Sequence, residues 1–107
     1  MKDLSLQEAF TRSMAIRESY HKLERQLHEK EWTVEEDALA FLTDAGLVGR
    51  LTMATEARWP VQGDASEQLE HKLGECLWWL LVLAGRSNVD AVEALDKFLT
   101  KTEKLME

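Results

Sequence analysis

Apolar residues recur along this chain at three- and four-residue intervals, the spacing that puts them on one face of an α-helix. Four such segments stand out. In the first, from about Leu6 to Glu29, Ala9, Ile16, Tyr20, Leu23 and Leu27 form one stripe with Phe10 beside it. The second, from about Val34 to Ala57, has two apolar faces. Val34, Ala38, Phe41, Ala45 and Val48 form one, and Leu39, Leu42, Gly46 and Met53 the other. The third, Ser66 to Arg86, is polar at first and then holds Leu77-Trp78-Trp79-Leu80-Leu81-Val82-Leu83-Ala84 without a break. Successive helical residues turn about 100°, so this run is apolar on every side and calls for neighbouring helices or a partner chain. It is too short to span a bilayer. In the fourth, from Ala91 to about Met106, Ala91, Leu95, Phe98, Thr102 and Leu105 are expected to face inward.

Each segment opens on an N-cap oxygen followed three residues later by Glu, the capping-box pattern. The pairs are Ser5 with Glu8, Thr33 with Glu36, Asp64 with Glu67, and Asp90 with Glu93. Arg58 to Gly63 reads as a linker, because Pro60 cannot continue a helix. Gly85 to Asn88 reads as a short turn that makes the third and fourth helices antiparallel neighbours. Gly46 and Gly49 weaken the second helix and are tolerable where another backbone comes close. No β pattern or internal repeat interrupts the series. The pattern predicts an all-α fold, one four-helix domain over residues 1–107.

Composition narrows the partners. The chain has 107 residues and a net charge of −7. Binding to a nucleic-acid backbone needs clustered Lys and Arg, so no nucleic-acid partner is expected. The single Cys excludes an internal disulfide and suits a reducing compartment. The first ten residues carry no signal-peptide apolar core, so a cytoplasmic protein is expected.

Candidate chemistry is sparse. There is no Gly-rich phosphate loop and no paired-Cys metal motif. His21 and His28, two turns apart with Glu24 between them, read either as a surface metal site or as a solvated helix face. The more informative pair is Asp44 and Glu75. Asp44 shares its helix face with Phe41, Leu47, Val48 and Leu51, and Glu75 shares its face with Trp78, Trp79 and Val82. Two carboxylates on apolar faces of adjacent helices either converge on a cation or pair with Lys72 or Arg50.

Two stretches resemble the MazG-like all-α nucleoside triphosphate pyrophosphohydrolases. They are Phe41-Leu42-Thr43-Asp44-Ala45-Gly46-Leu47-Val48 and His71-Lys72-Leu73-Gly74-Glu75-Cys76-Leu77-Trp78-Trp79-Leu80-Leu81. The turn from Ala84 to Asp90 and the stretch Lys101-Thr102-Glu103-Lys104 resemble the end of that fold. The resemblance implies a helical bundle assembled as a dimer or tetramer. It also implies Mg²⁺-dependent cleavage of a nucleoside triphosphate to a monophosphate and pyrophosphate. In the family the ion is held by Glu-Glu-x-x-Glu on one helix and Glu-x-x-Asp on the next. Carried over, the resemblance makes Asp44 and Glu75 metal ligands. It puts Thr43, Leu47 and Lys72 where three further acids are expected, and makes Lys101 and Lys104 candidate phosphate contacts. Glu56 and Asp37 are potential replacement donors, but Asp37 lies about 10 Å from Asp44 along the helix, too far to share one ion.

Three functional readings follow. The first is a metal-dependent pyrophosphohydrolase of weakened activity. The second is a catalytically inactive relative that still binds a nucleotide. The third is a helical module whose oligomer surface is its function. All three expect a homo-oligomer and no membrane.

Overall fold

The computed structural model describes residues 3–107, which form four α-helices and, among the described residues, no strand. These are α1 (Leu6–His28), α2 (Val34–Thr55), α3 (Ala65–Arg86) and α4 (Ala91–Leu105). Among the described residues, no helix is long and apolar enough to cross a membrane.

The starts are set by the expected caps. Ser5 and Thr33 form full capping boxes, each side chain accepting from the backbone N–H of Glu8 or Glu36 while that Glu accepts from the cap's own N–H. At Asp64 and Asp90 the cap carboxylate accepts from Ser66 and Glu67, and from Glu93. Glu93 itself turns to Lys97 at 2.8 Å. The stops are left-handed turns. Glu29, Ala57 and Asn88 all have positive φ. The Arg58 N–H donates back to the Met53 carbonyl and the Val89 N–H to that of Ala84, which satisfies carbonyls at the ends of α2 and α3. α2 therefore ends at Thr55, two residues before the expected boundary and well before Pro60.

The chain divides into two compact units. One comprises the described residues up to Glu31 together with Leu81–Glu107, and the other is Trp32–Leu80. In the first, α1 packs on α4. The last turn of α3 comes so close to α1 that a Cβ added at Gly85 would lie 2.6 Å from Met14 Sδ. The stripe read on α1 is corrected here. Ser13, Arg17 and His21 are the buried residues, while Ile16, Tyr20, Leu23 and Leu27 are exposed. Burial of Arg17 is tolerable because Glu24, two turns on, accepts its Nη1 at 2.9 Å.

The surface metal reading of His21, Glu24 and His28 is corrected by the same facts. His21 is buried, Glu24 is bound to Arg17 and His28 is exposed. His21 Nδ1 instead faces Glu18 and Glu31, at 3.6 and 3.7 Å.

In the unit Trp32–Leu80, Leu51, Cys76 and Trp79 are the buried apolar residues, and Asp37 is fully buried. The second apolar face of α2 stays open, with Leu42 66% exposed. No neighbour lies within 4 Å of a Cβ added at Gly46 or Gly49, so the close backbone expected there is not supplied. In the apolar run of α3, Trp79 and Val82 are buried while Leu77 remains 63% exposed.

Candidate functional site

The site lies in the unit Trp32–Leu80, where α2 faces the first four turns of α3. Asp44 is in the middle of α2, and Lys72, Glu75 and Trp79 follow one another at three- and four-residue steps on α3. That spacing puts the three α3 side chains on one face, aimed at one point on α2.

Lys72 Nζ donates to Asp44 Oδ1 at 3.1 Å and to Glu75 Oε1 at 2.8 Å. Trp79 Nε1 donates to Asp44 Oδ2 at 2.9 Å. Both Asp44 oxygens therefore have donors, and one ammonium stands between two carboxylates. The side chains of Lys72 and Asp44 are only 19% and 14% exposed. In such surroundings a charge-assisted hydrogen bond is little weakened by solvent. The Glu75 bond holds the Lys72 ammonium protonated beyond the usual lysine range, with Asp44 adding to this and burial opposing it. Cys76, next to Glu75, is buried and free. Burial pushes its thiol up, and the charges of Asp44 and Glu75 push the same way.

Beside this cluster opens a cleft of about 730 Å³. α2 contributes Thr43, Gly46, Leu47, Arg50 and Leu51, the α2–α3 linker Trp59 and Val61, and α3 Glu67, Gln68, His71 and Lys72. The Arg50 guanidinium lies over the Trp59 ring, 4.2 Å from its centroid, a cation–π contact. Thr43 donates its hydroxyl to the Leu39 carbonyl at 3.0 Å. The wall is mostly apolar with a few polar groups, as in sites for small organic molecules.

Thr43, Leu47 and Lys72, the three positions where the resemblance expects acids, all line this cleft. Asp44 and Glu75 are not part of its lining and are tied to Lys72. Of the two partners proposed for the acids, Lys72 takes both and Arg50 stacks on Trp59 instead. Lys101 and Lys104 lie on α4 in the other unit and are exposed. Glu56 caps the C-terminal end of α2 and is exposed.

A hard divalent cation needs several oxygens around it, at 2.0–2.1 Å for Mg²⁺. Here the point between the carboxylates belongs to a nitrogen, each Asp44 oxygen already takes a donor, and the other two α2 positions carry a hydroxyl and an alkyl chain. These residues do not fit a Mg²⁺ ion. Among the described residues no cluster of three or more His, Cys, Asp or Glu side chains is placed to hold a metal.

Sequence reasoning missed the Trp79–Asp44 bond. Along the chain Trp79 reads only as an apolar residue of the α3 run, although a buried indole N–H ordinarily finds an acceptor. That rule and the apolar face around Asp44 together were the available signal.

Compared with family profiles, with curated proteins and with solved structures, the chain matches none.

Proposed function

We propose that this chain is a MazG-like oligomeric protein that binds a nucleotide in the cleft between α2 and α3 and turns it over far more slowly than its hydrolytic relatives. The observation that carries the reading is the cleft wall. The three positions that would bring acids to it hold Thr43, Leu47 and Lys72, and the Lys72 charge is already taken by Asp44 and Glu75. A volume of about 730 Å³ suits a mononucleotide-sized ligand. Leu47, Leu51 and Val61 offer an apolar wall for a base, and Arg50, stacked on Trp59, offers a cation for an anionic group. Neither interaction requires a metal.

Assembly into a dimer or larger oligomer is supported by the open apolar faces. Leu39 and Leu42 on α2, and Leu73, Leu77 and Leu80 on α3, are exposed. Leu73, Leu77 and Leu80 recur at helical spacing on one face of α3, and exposed apolar faces of this kind mark interaction sites.

The test is an assay of nucleoside mono- and triphosphates with the full chain. Binding should quench tryptophan fluorescence, and Trp59→Phe and Arg50→Ala should weaken it. Pyrophosphate release should stay close to background with and without Mg²⁺. Robust Mg²⁺-dependent release that Asp44→Ala abolishes would restore the enzyme reading. No binding of any nucleotide would leave the chain a helical interaction module.

A further inference from the structure

We infer that the Lys72 ammonium is the resident cation of the α2–α3 cluster, a covalently attached counter-ion that fills the position between Asp44 and Glu75 and makes divalent metal unnecessary there. The bonds at 3.1 and 2.8 Å place one nitrogen within reach of a carboxylate from each helix. Trp79 closes the remaining side of Asp44 at 2.9 Å. Each Asp44 oxygen thus takes a donor, and the Glu75 Oε1 that accepts from the ammonium also has His71 Nε2 3.8 Å away.

Charge explains why the arrangement needs a cation. Two carboxylates drawn toward one partly buried point repel each other, and each resists losing water. A metal ion and an ammonium are alternative ways to relieve this. The ammonium comes with the chain, so its local concentration does not depend on the medium. A lysine beside the acids also repels an incoming divalent ion, so the two solutions exclude each other. Lys72 is one turn before Glu75 and so bonds it within α3, while its reach to Asp44 ties α3 to α2. The ammonium is therefore a cross-link between helices as well as a counter-ion. This inference rests on the geometry of four side chains and not on the cleft's ligand.

The experiment measures thermal unfolding and Mn²⁺ binding of the full chain, at matched ionic strength, for the parent and for Asp44→Asn, Lys72→Met, Lys72→Glu and Lys72→Glu/Asp44→Asn. The parent should show no change in Tm with Mg²⁺ or Mn²⁺, and no Mn²⁺ bound in an Asp44-dependent way. Lys72→Met should melt several degrees lower. Lys72→Glu gathers three acids and should melt lower still without metal. It should recover as Mn²⁺ is added, because a ion bound only by the folded state stabilises it. The added Asp44→Asn change should remove that recovery.

Mn²⁺ binding by the parent that a folded Asp44→Asn protein loses would overturn the inference. So would a Lys72→Met protein as stable as the parent, or a folded Lys72→Glu protein indifferent to Mn²⁺. None of these readings involves nucleotide. The proposed ligand can therefore fail its own test while the counter-ion stands, and the reverse.

Discussion

At the scale of single residues, the informative feature is a charge held in place by geometry. Lys72 is bonded to Glu75 and Asp44, and its ammonium is held protonated above the ordinary value of 10.5. A cation whose folded pKa is raised contributes stability that is fully present below the unfolded pKa. That contribution is lost as pH rises through the folded value. Stability from this cluster should therefore be level near neutral pH and fall above about pH 10.5. Urea unfolding from pH 8 to pH 12 checks this, with Lys72→Met as the control that should lose the alkaline dependence due to this group. Trp79 provides a second test. Trp79→Phe keeps the ring but strips the donor from Asp44 Oδ2. Leaving a partly buried acceptor unpaired should cost about 1–3 kcal/mol in chemical denaturation. A loss below a few tenths would mean that water replaces the indole N–H freely.

At the scale of elements, the helices are set by their ends and weakened at identifiable interior points. The hydroxyl of Thr33 caps α2 by accepting from the Glu36 N–H at 3.1 Å. Thr33→Ala should cost about 1 kcal/mol, measured as a lower midpoint with an unchanged denaturant slope. Gly46 is the opposite case. It sits inside α2 with no atom within 4 Å of an added Cβ. Gly46→Ala should therefore stabilise by up to about 1 kcal/mol. It should also weaken ligand binding, since Gly46 lines the cleft. At Gly85 the same exchange drives a Cβ against Met14 and Phe10, so the gain in helix propensity should be largely cancelled. Equal stabilisation at the two positions would contradict the packing described around α1.

At the scale of the whole molecule, exposed large apolar residues outnumber buried ones among the described residues. Leu51, Cys76, Trp79, Leu81 and Val82 make up the buried apolar set there, whereas Leu39, Leu42, Leu77 and Phe98 are all more than half exposed. Such surface is expected to be covered by further copies of the chain. Sedimentation at micromolar concentration should give a species of two or more chains, and Leu42→Glu with Leu77→Glu should reduce it while far-UV helicity persists. A parent that stays monomeric would remove the oligomer from the proposal.

How much of this was legible beforehand differs by level, and the reason is range. Helix starts depend on contacts three residues apart, so Ser5, Thr33, Asp64 and Asp90 could be read directly from the chain. The α2 end came two residues early because Ala57 adopts a left-handed turn, which no residue preference announces. Asp44 and Glu75 stood out because each is a carboxylate on an apolar helix face. What lies between them was decided by the tertiary structure. Helical spacing says that Lys72 can meet Glu75, but only the approach of α2 brings Asp44 to the same nitrogen and to the Trp79 indole. The same limit explains α1, where periodicity marked the apolar stripe and the fold buried Ser13, Arg17 and His21 instead. Local hydrogen bonding and periodicity determine where helices form. Which face is covered, and which charge meets which, depends on where another helix lies.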